Sequence, residues 1–340
     1  MTAHREFMSG TDTMMRAEVE DIGGDRINYR AAGIAFSDMM NGILRDPRAF
    51  QINPSKFFEM YPRQANYENI SRNAWFDVGA STVKKEARQR LKKSGWDDVR
   101  PALRSTITGW FMKAFIHGST NQFTSSVAFY SQIVEILEWG RQAFKDVSTE
   151  ERGPIFKSTY VRGVKRLYMN TLLKGYIKHP SDFKIDDAVN LAHQIIADVA
   201  QNPPSPNEQY DPGFLLSFWK YTVSDAHAVL GYYYKALGLQ AVPGSEEARE
   251  HFQDAARQYV SSANALPADD ECHAYYLAIA VEAYWRRGSS LSVTLVACRR
   301  IHDSVEKARY LWGSRGKGSS PEIRMCMAFQ DEWEERIQSP

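Results

Sequence analysis

Four residues toward the carboxyl end carry side chains that hold zinc. Cys298 and His302 fall one helical turn apart, and Cys272-His273 opens the preceding helix of the same predicted hairpin. Zinc needs thiolate or imidazole ligands converging in tetrahedral geometry. No Cys-x2-Cys pair accompanies these residues, and Cys298 also lies on an apolar helical stripe, where a free cysteine behaves as a small hydrophobe. No metal is expected. Paired acids occur at Asp97-Asp98, Asp186-Asp187 and Asp269-Asp270-Glu271. A magnesium-dependent prenyl-diphosphate enzyme would need acids one turn apart inside facing helices. These runs stand at the starts of predicted helices, where carboxylates cap N–H groups and complement the dipole. The chain has no Gly-x-Ser-x-Gly elbow, phosphate-binding P-loop, dinucleotide fingerprint or His-Glu-x-x-His helix. No catalytic residue and no cofactor is assigned.

Two groups of cations are candidate binding surfaces. The run Lys84-Lys85-x2-Arg88-x-Arg90-x-Lys92-Lys93 precedes Trp96, and Lys84, Arg88 and Lys92 share one helical face. Its simpler role is a solvated helix end; its sharper one is contact with nucleic acid. The second group is Arg162, Lys165, Arg166 and Asn170, the polar face of a helix predicted over 156–178. On the concave side of a hairpin array, such residues can hold a peptide carboxylate; the alternative is an ordinary solvated stripe.

Composition narrows the partners. Lys plus Arg (42) and Asp plus Glu (41) nearly cancel, so bulk charge supplies no drive toward nucleic acid or anionic lipid. Nucleic acid is therefore not expected as the main partner. Three widely spaced cysteines do not make a disulfide framework and fit a reducing compartment. Residues 1–12 have no apolar core of a secretory signal, and no apolar run reaches the ~20 residues of a bilayer span. A cytoplasmic or nuclear setting is expected.

The elements that must position these residues are helices throughout. Ile185, Ala188, Val189, Ala192, Ile195, Ile196 and Val199 form one stripe of period 3.6, and no strand-like alternation survives. Asn53-Pro54, Asp211-Pro212 and Ser320-Pro321 each place a capping side chain before a first-turn proline, and Ser148-x-x-Glu151 is a capping box. The predicted spans are 27–45, 54–61, 64–93, 98–117, 122–145, 150–178, 185–200, 212–238, 245–265, 269–287, 290–312 and 321–337. Short connections make sequential helices antiparallel neighbours. The expectation is a flexible segment at 1–24, then one continuous helical domain at 25–338, with a hinge in the proline-rich loop 201–211.

The fold class that results is all-α, antiparallel helix hairpins stacked as an α-solenoid, tetratricopeptide-like but with lengthened helices. The pattern of that repeat is best met at His227, Leu230-Gly231, Tyr234, then Ala248, Phe252 and Ala255. A second copy runs Trp110, Ala114, His117, then Ser126, Tyr130, Ile133. The copies lie much farther apart than the ~34 residues of a standard unit. Segments 57–65 (FFEMYPRQA), 96–101 (WDDVRP), 136–140 (ILEWG) and 211–219 (DPGFLLSFW) resemble a group of fungal tetratricopeptide-like proteins over about 41–237. The resemblance implies a non-enzymatic scaffold binding other proteins or peptides. The regular array of short repeats that typically comes first in that group has no counterpart before Asn41. The runner-up readings are an all-α enzyme with a pocket between long helices and a nucleic-acid-associated protein using 84–93.

Overall fold

The computed structural model describes residues 2–23, 26–312 and 320–338. Its helices, in chain order, are α1 (Thr2–Met15), α2 (Phe36–Arg45), α3 (Pro54–Arg72), α4 (Ala80–Ser94), α5 (Trp96–Ser119), α6 (Phe123–Ala143), α7 (Thr149–Arg152) and α8 (Ser158–Lys178). There follow α9 (Ile185–Gln201), α10 (Pro212–Leu215), α11 (Tyr221–Gln240), α12 (Glu246–Ala265), α13 (Glu271–Arg287), α14 (Leu291–Trp312) and α15 (Pro321–Gln338). The protein is all-α in character, built of helices that pack on their neighbours in sequence.

Several helix starts follow the breakers, but the helices predicted over 64–93 and 150–178 are each interrupted, at 73–79 and 153–157. Asn53 accepts a hydrogen bond from the Lys56 N–H, Asp211 from Phe214, Ser320 from Ile323 and Ser148 from Glu151, each at the start of a helix. The predicted break near Pro62 does not occur. Helix α3 runs through that proline to Arg72 and stops at Asn73, whose φ of 47° is left-handed. The hydrogen bond lost at Pro62 is offset by the stripe Phe57, Met60, Gln64 and Glu68, all buried.

Three features were not expected from the helical pattern. The amino-terminal segment carries α1, in which Phe7 and Met14 are fully buried, together worth roughly 3–6 kcal/mol. Its crossing with α2 relies on two glycines: a Cβ on Gly42 would lie 2.6 Å from the Ala3 carbonyl oxygen, and one on Gly10 2.6 Å from that of Ala35. Secondly, β1 (Glu18–Gly23) and β2 (Arg26–Arg30) form an antiparallel hairpin, pairing Glu18 with Arg30 and Val19 with Tyr29. The helix predicted from 27 therefore starts only at Phe36. Thirdly, the chain forms two compact units, Met1–Phe183 with Pro206–Phe218, and Lys184–Ser205 with Trp219–Pro340.

In the first unit α5 and α6 pair as the 110–133 pattern requires. Ser126 Oγ donates to the Ala114 carbonyl at 2.7 Å, and the Phe111 and Tyr130 rings meet edge-on with centroids 5.9 Å apart. Helix α8 packs on α6 and α2 and is buried on most sides, with Val161, Val164, Leu167, Met169 and Leu172 in the core.

In the second unit α9 packs on α11, and α11, α12, α13 and α14 pack in turn. The α13–α14 core consists of Ala274, Leu277, Ala278, Val281, Cys298 and Ile301, joined by Ile323 and Cys326 of α15.

Candidate functional site

The polar face of α8 is largely not a solvated stripe. Arg162 is 1% exposed and donates from Nη1 to the Phe218 carbonyl at 2.8 Å. That carbonyl lies in a π-helical turn at Leu216–Lys220, just beyond α10. Arg166 is 7% exposed, and Lys165 forms an ion pair with Glu138 of α6 at 2.6 Å. Asn170 stands apart and lines a cavity of about 340 Å³ with Tyr130, Thr171 and Lys174. The proposed carboxylate-holding face is thus mostly structural. Polar residues at helical spacing also occur on a helix that the fold buries, and sequence cannot separate that case from an exposed one.

The basic helix α4 is partly consumed in the same way. Lys84 pairs with Glu135 at 2.6 Å, and the Arg88 guanidinium sits 5.2 Å from the centre of the Trp139 ring. Both partners belong to α6. Lys92 is exposed. Arg90, not singled out by the spacing, ties the turn into α5: it pairs with the Asp98 carboxylate, donates to the Asn73 carbonyl at 2.7 Å and covers the Trp75 ring. The guanidinium of Arg90 holds the Asp98 carboxyl below the usual range.

The zinc candidates do not converge. Cys298 is buried and hydrogen-bonds Cys326, while His273 Nδ1 faces the Leu266 carbonyl at 3.4 Å. Burial depresses the pKa of His273. Among the described residues no group of three or more His, Cys, Asp or Glu is placed to hold a metal ion. Asp270 caps α13 through the Cys272 N–H and also receives the Tyr221 hydroxyl, both at 2.9 Å. None of the described helices is long and apolar enough to cross a membrane.

Two arrangements remain as functional candidates. The first is the hairpin α11–α12 with α13. Ser262 Oγ donates to the Ser224 carbonyl at 2.8 Å, His227 meets Gln258 at 2.7 Å, and Gly231 and Gly238 sit against the Tyr259 and Phe252 rings. These pairs step in opposite directions along the two helices, so the hairpin is antiparallel. Lys235 of α11 pairs with Glu282 of α13 at 2.6 Å, while Tyr221 at the start of α11 meets Asp270 at the start of α13. Helices α11 and α13 therefore run parallel, with α12 antiparallel to both.

The second candidate is a cavity of about 600 Å³ in the first unit, between the start of α2, the first half of α5 and the turn at α7. Arg72, Arg100, Arg104 and Arg152 line it, with Asp38 and Glu150 its carboxylates. Sequence reasoning missed it, because its arginines come from three helices distant in the chain. Beside it lies the buried carboxyl of Glu68, which accepts the N–H groups of Ala35 at 2.8 Å and Phe36 at 3.0 Å and so caps α2 from a remote helix. Comparison with protein-family models, curated proteins and solved structures finds no match.

Proposed function

We propose that this chain is a non-enzymatic protein–protein interaction scaffold of tetratricopeptide-like type, working in the cytoplasm or nucleus. The observation that carries the reading is the α11–α12–α13 arrangement, in which small residues lie under rings and alternate helices run parallel. That is the packing logic of a helical-hairpin repeat, in which each hairpin buries its apolar face against the next. The fungal tetratricopeptide-like resemblance belongs to the same proposal. Helices α11 and α13 begin at Tyr221 and Glu271, wider than the ~34-residue unit, so the groove of short repeats is not part of it. The partner surface is assigned to exposed apolar residues of α14, Val296 (59% exposed) and Tyr310 (90%), which lie about four turns apart.

Affinity capture from native lysate, followed by reconstitution of each captured protein with the purified chain, tests this directly. A stoichiometric complex weakened at least tenfold by V296D or Y310D is expected. Capture of nothing above a tag-only control, or indifference to both substitutions, counts against the scaffold. The cavity of about 600 Å³ favours a second reading, an all-α enzyme with a pocket between long helices. Turnover of any member of a metabolite panel, abolished by R104Q, would promote it.

A further inference from the structure

The arginines around the large cavity differ in how they are satisfied. Arg100 is committed to the fold: Nη1 donates to the carbonyls of Glu150 and Glu151 at 2.9 and 3.0 Å, and Nη2 pairs with Asp97 at 3.1 Å. Arg104 donates only to the Ser37 hydroxyl. Arg152 gives Nη1 to the Phe144 carbonyl at 2.8 Å, while its Nε is buried with no hydrogen-bond partner. Exposed Arg72 has no side-chain partner among the described residues. None of Arg72, Arg104 and Arg152 forms an ion pair within the described residues. Two carboxylates share the lining with four arginines, which leaves the cations in excess. Asp38 accepts the Ser9 hydroxyl at 3.1 Å, and hydrogen bonds from its own backbone and from Ser148 hold Glu150 below the usual carboxylate range.

Guanidinium groups gathered around one concavity repel one another, and a bound anion removes that cost. The charge and donor geometry select its chemistry. A carboxylate offers one charge and one fork. A phosphomonoester offers nearly two charges and three acceptor oxygens, which three guanidiniums can share. The volume exceeds that of a bare phosphate and falls in the range of drug-sized pockets. Ile34, Pro154 and Ile155 supply apolar wall for an organic body.

We propose that the cavity between α2, α5 and α7 binds a phosphomonoester through Arg72, Arg104 and Arg152, carried either on a small molecule or on a phosphorylated residue of a partner. The site stands whether or not the hairpins of the second unit dock a protein.

Titration calorimetry of the full chain with inorganic phosphate, O-phosphoserine, a phosphoserine peptide and its unphosphorylated twin tests the site. Saturable binding of a phosphorylated probe is expected, falling with ionic strength, with none for the twin. Because each charge-assisted bond to phosphate is strong, R72Q and R104Q should each weaken binding roughly tenfold or more. A peptide at least tenfold tighter than phosphoserine assigns the ligand to a partner protein; equal affinities assign it to a small molecule. Arg72 is exposed, so R72Q decides the matter alone if R104Q proves misfolded by circular dichroism. No binding of any phosphorylated probe at millimolar concentration overturns the proposal. So does unchanged affinity in the folded variants.

Discussion

Replacing Glu68 with alanine removes the acceptor of three hydrogen bonds at once: the N–H groups of Ala35 and Phe36 and the Gln64 amide, at 2.8, 3.0 and 2.8 Å. Each buried donor left without a partner costs about 1–3 kcal/mol, and the emptied volume adds to that. Relaxation and entering water recover part of it, so E68A is expected to lose about 3–5 kcal/mol. For a unit of this size the melting temperature should fall by roughly 6–20 °C. E68Q tests the logic differently. It keeps an acceptor at Oε1 and places an amide where Oε2 is buried without a hydrogen-bond partner.

The two forms should also diverge with pH. Burial pushes the Glu68 carboxyl above its ordinary value, against the hydrogen bonds from Gln64, Phe36 and Ala35 and the charge of Arg104. With the folded pKa raised, the folded state binds the proton more tightly. The resulting stability is complete below the unfolded carboxyl pKa and is lost as pH rises through the folded one. Wild type should therefore lose stability relative to E68Q as pH rises above the ordinary carboxylate range and through the raised pKa of Glu68, as read by urea denaturation at a series of pH values. Amide exchange at Ala35 and Phe36 should quicken in E68A. A loss below about 1 kcal/mol in E68A, or a wild-type-minus-E68Q difference independent of pH, would refute the reasoning.

Other consequences follow from single contacts. G42A forces a methyl to within 2.6 Å of the Ala3 carbonyl, so it should cost about 1–3 kcal/mol and make α1 a site of early cleavage in limited proteolysis. R162A empties a buried charged position and removes its hydrogen bond to the Phe218 carbonyl; about 3 kcal/mol or more should be lost in denaturation, with no specific defect in peptide binding once the folded fraction is matched. In R90Q the Asp98 carboxyl should return upward to the ordinary aspartate range, as followed by carbonyl chemical shift. With the Asp98 pKa depressed in the folded state, that pair stabilises above the unfolded pKa and ceases to do so as pH falls.

Local physics made much of this fold legible. Proline after Asn53, Asp211 and Ser320, and the Ser148 box, mark helix starts because capping involves only residues within one turn. Period-3.6 stripes located the long helices for the same reason. The spacing at 227–255 marked two helices close in sequence that pack as an antiparallel hairpin, although the contacts that close it extend beyond the pattern, to Gly231 against Tyr259 and Gly238 against Phe252. The β-hairpin was missed although Arg26-Ile27-Asn28-Tyr29-Arg30 alternates polar and apolar residues after Gly23-Gly24-Asp25; the strands are short and rich in charge, and such alternation over five residues is a weak signal. Helix α1 was hidden because its docking depends on Gly42, a residue far along the chain.

Neighbours along the backbone set the helical class and the helix starts that a capping residue marks. Tertiary structure alone decided the meaning of the charges. Lys84 and Arg88 look like a binding face until α6 brings Glu135 and Trp139 beside them, and Arg162 looks solvated until Phe218 closes over it. Arg72, Arg104 and Arg152, which carry no shared spacing, become a group only when α3, α5 and α7 surround one cavity. Charge is a long-range quantity whose cost depends on burial and on partners from distant segments, and neither is written in local periodicity.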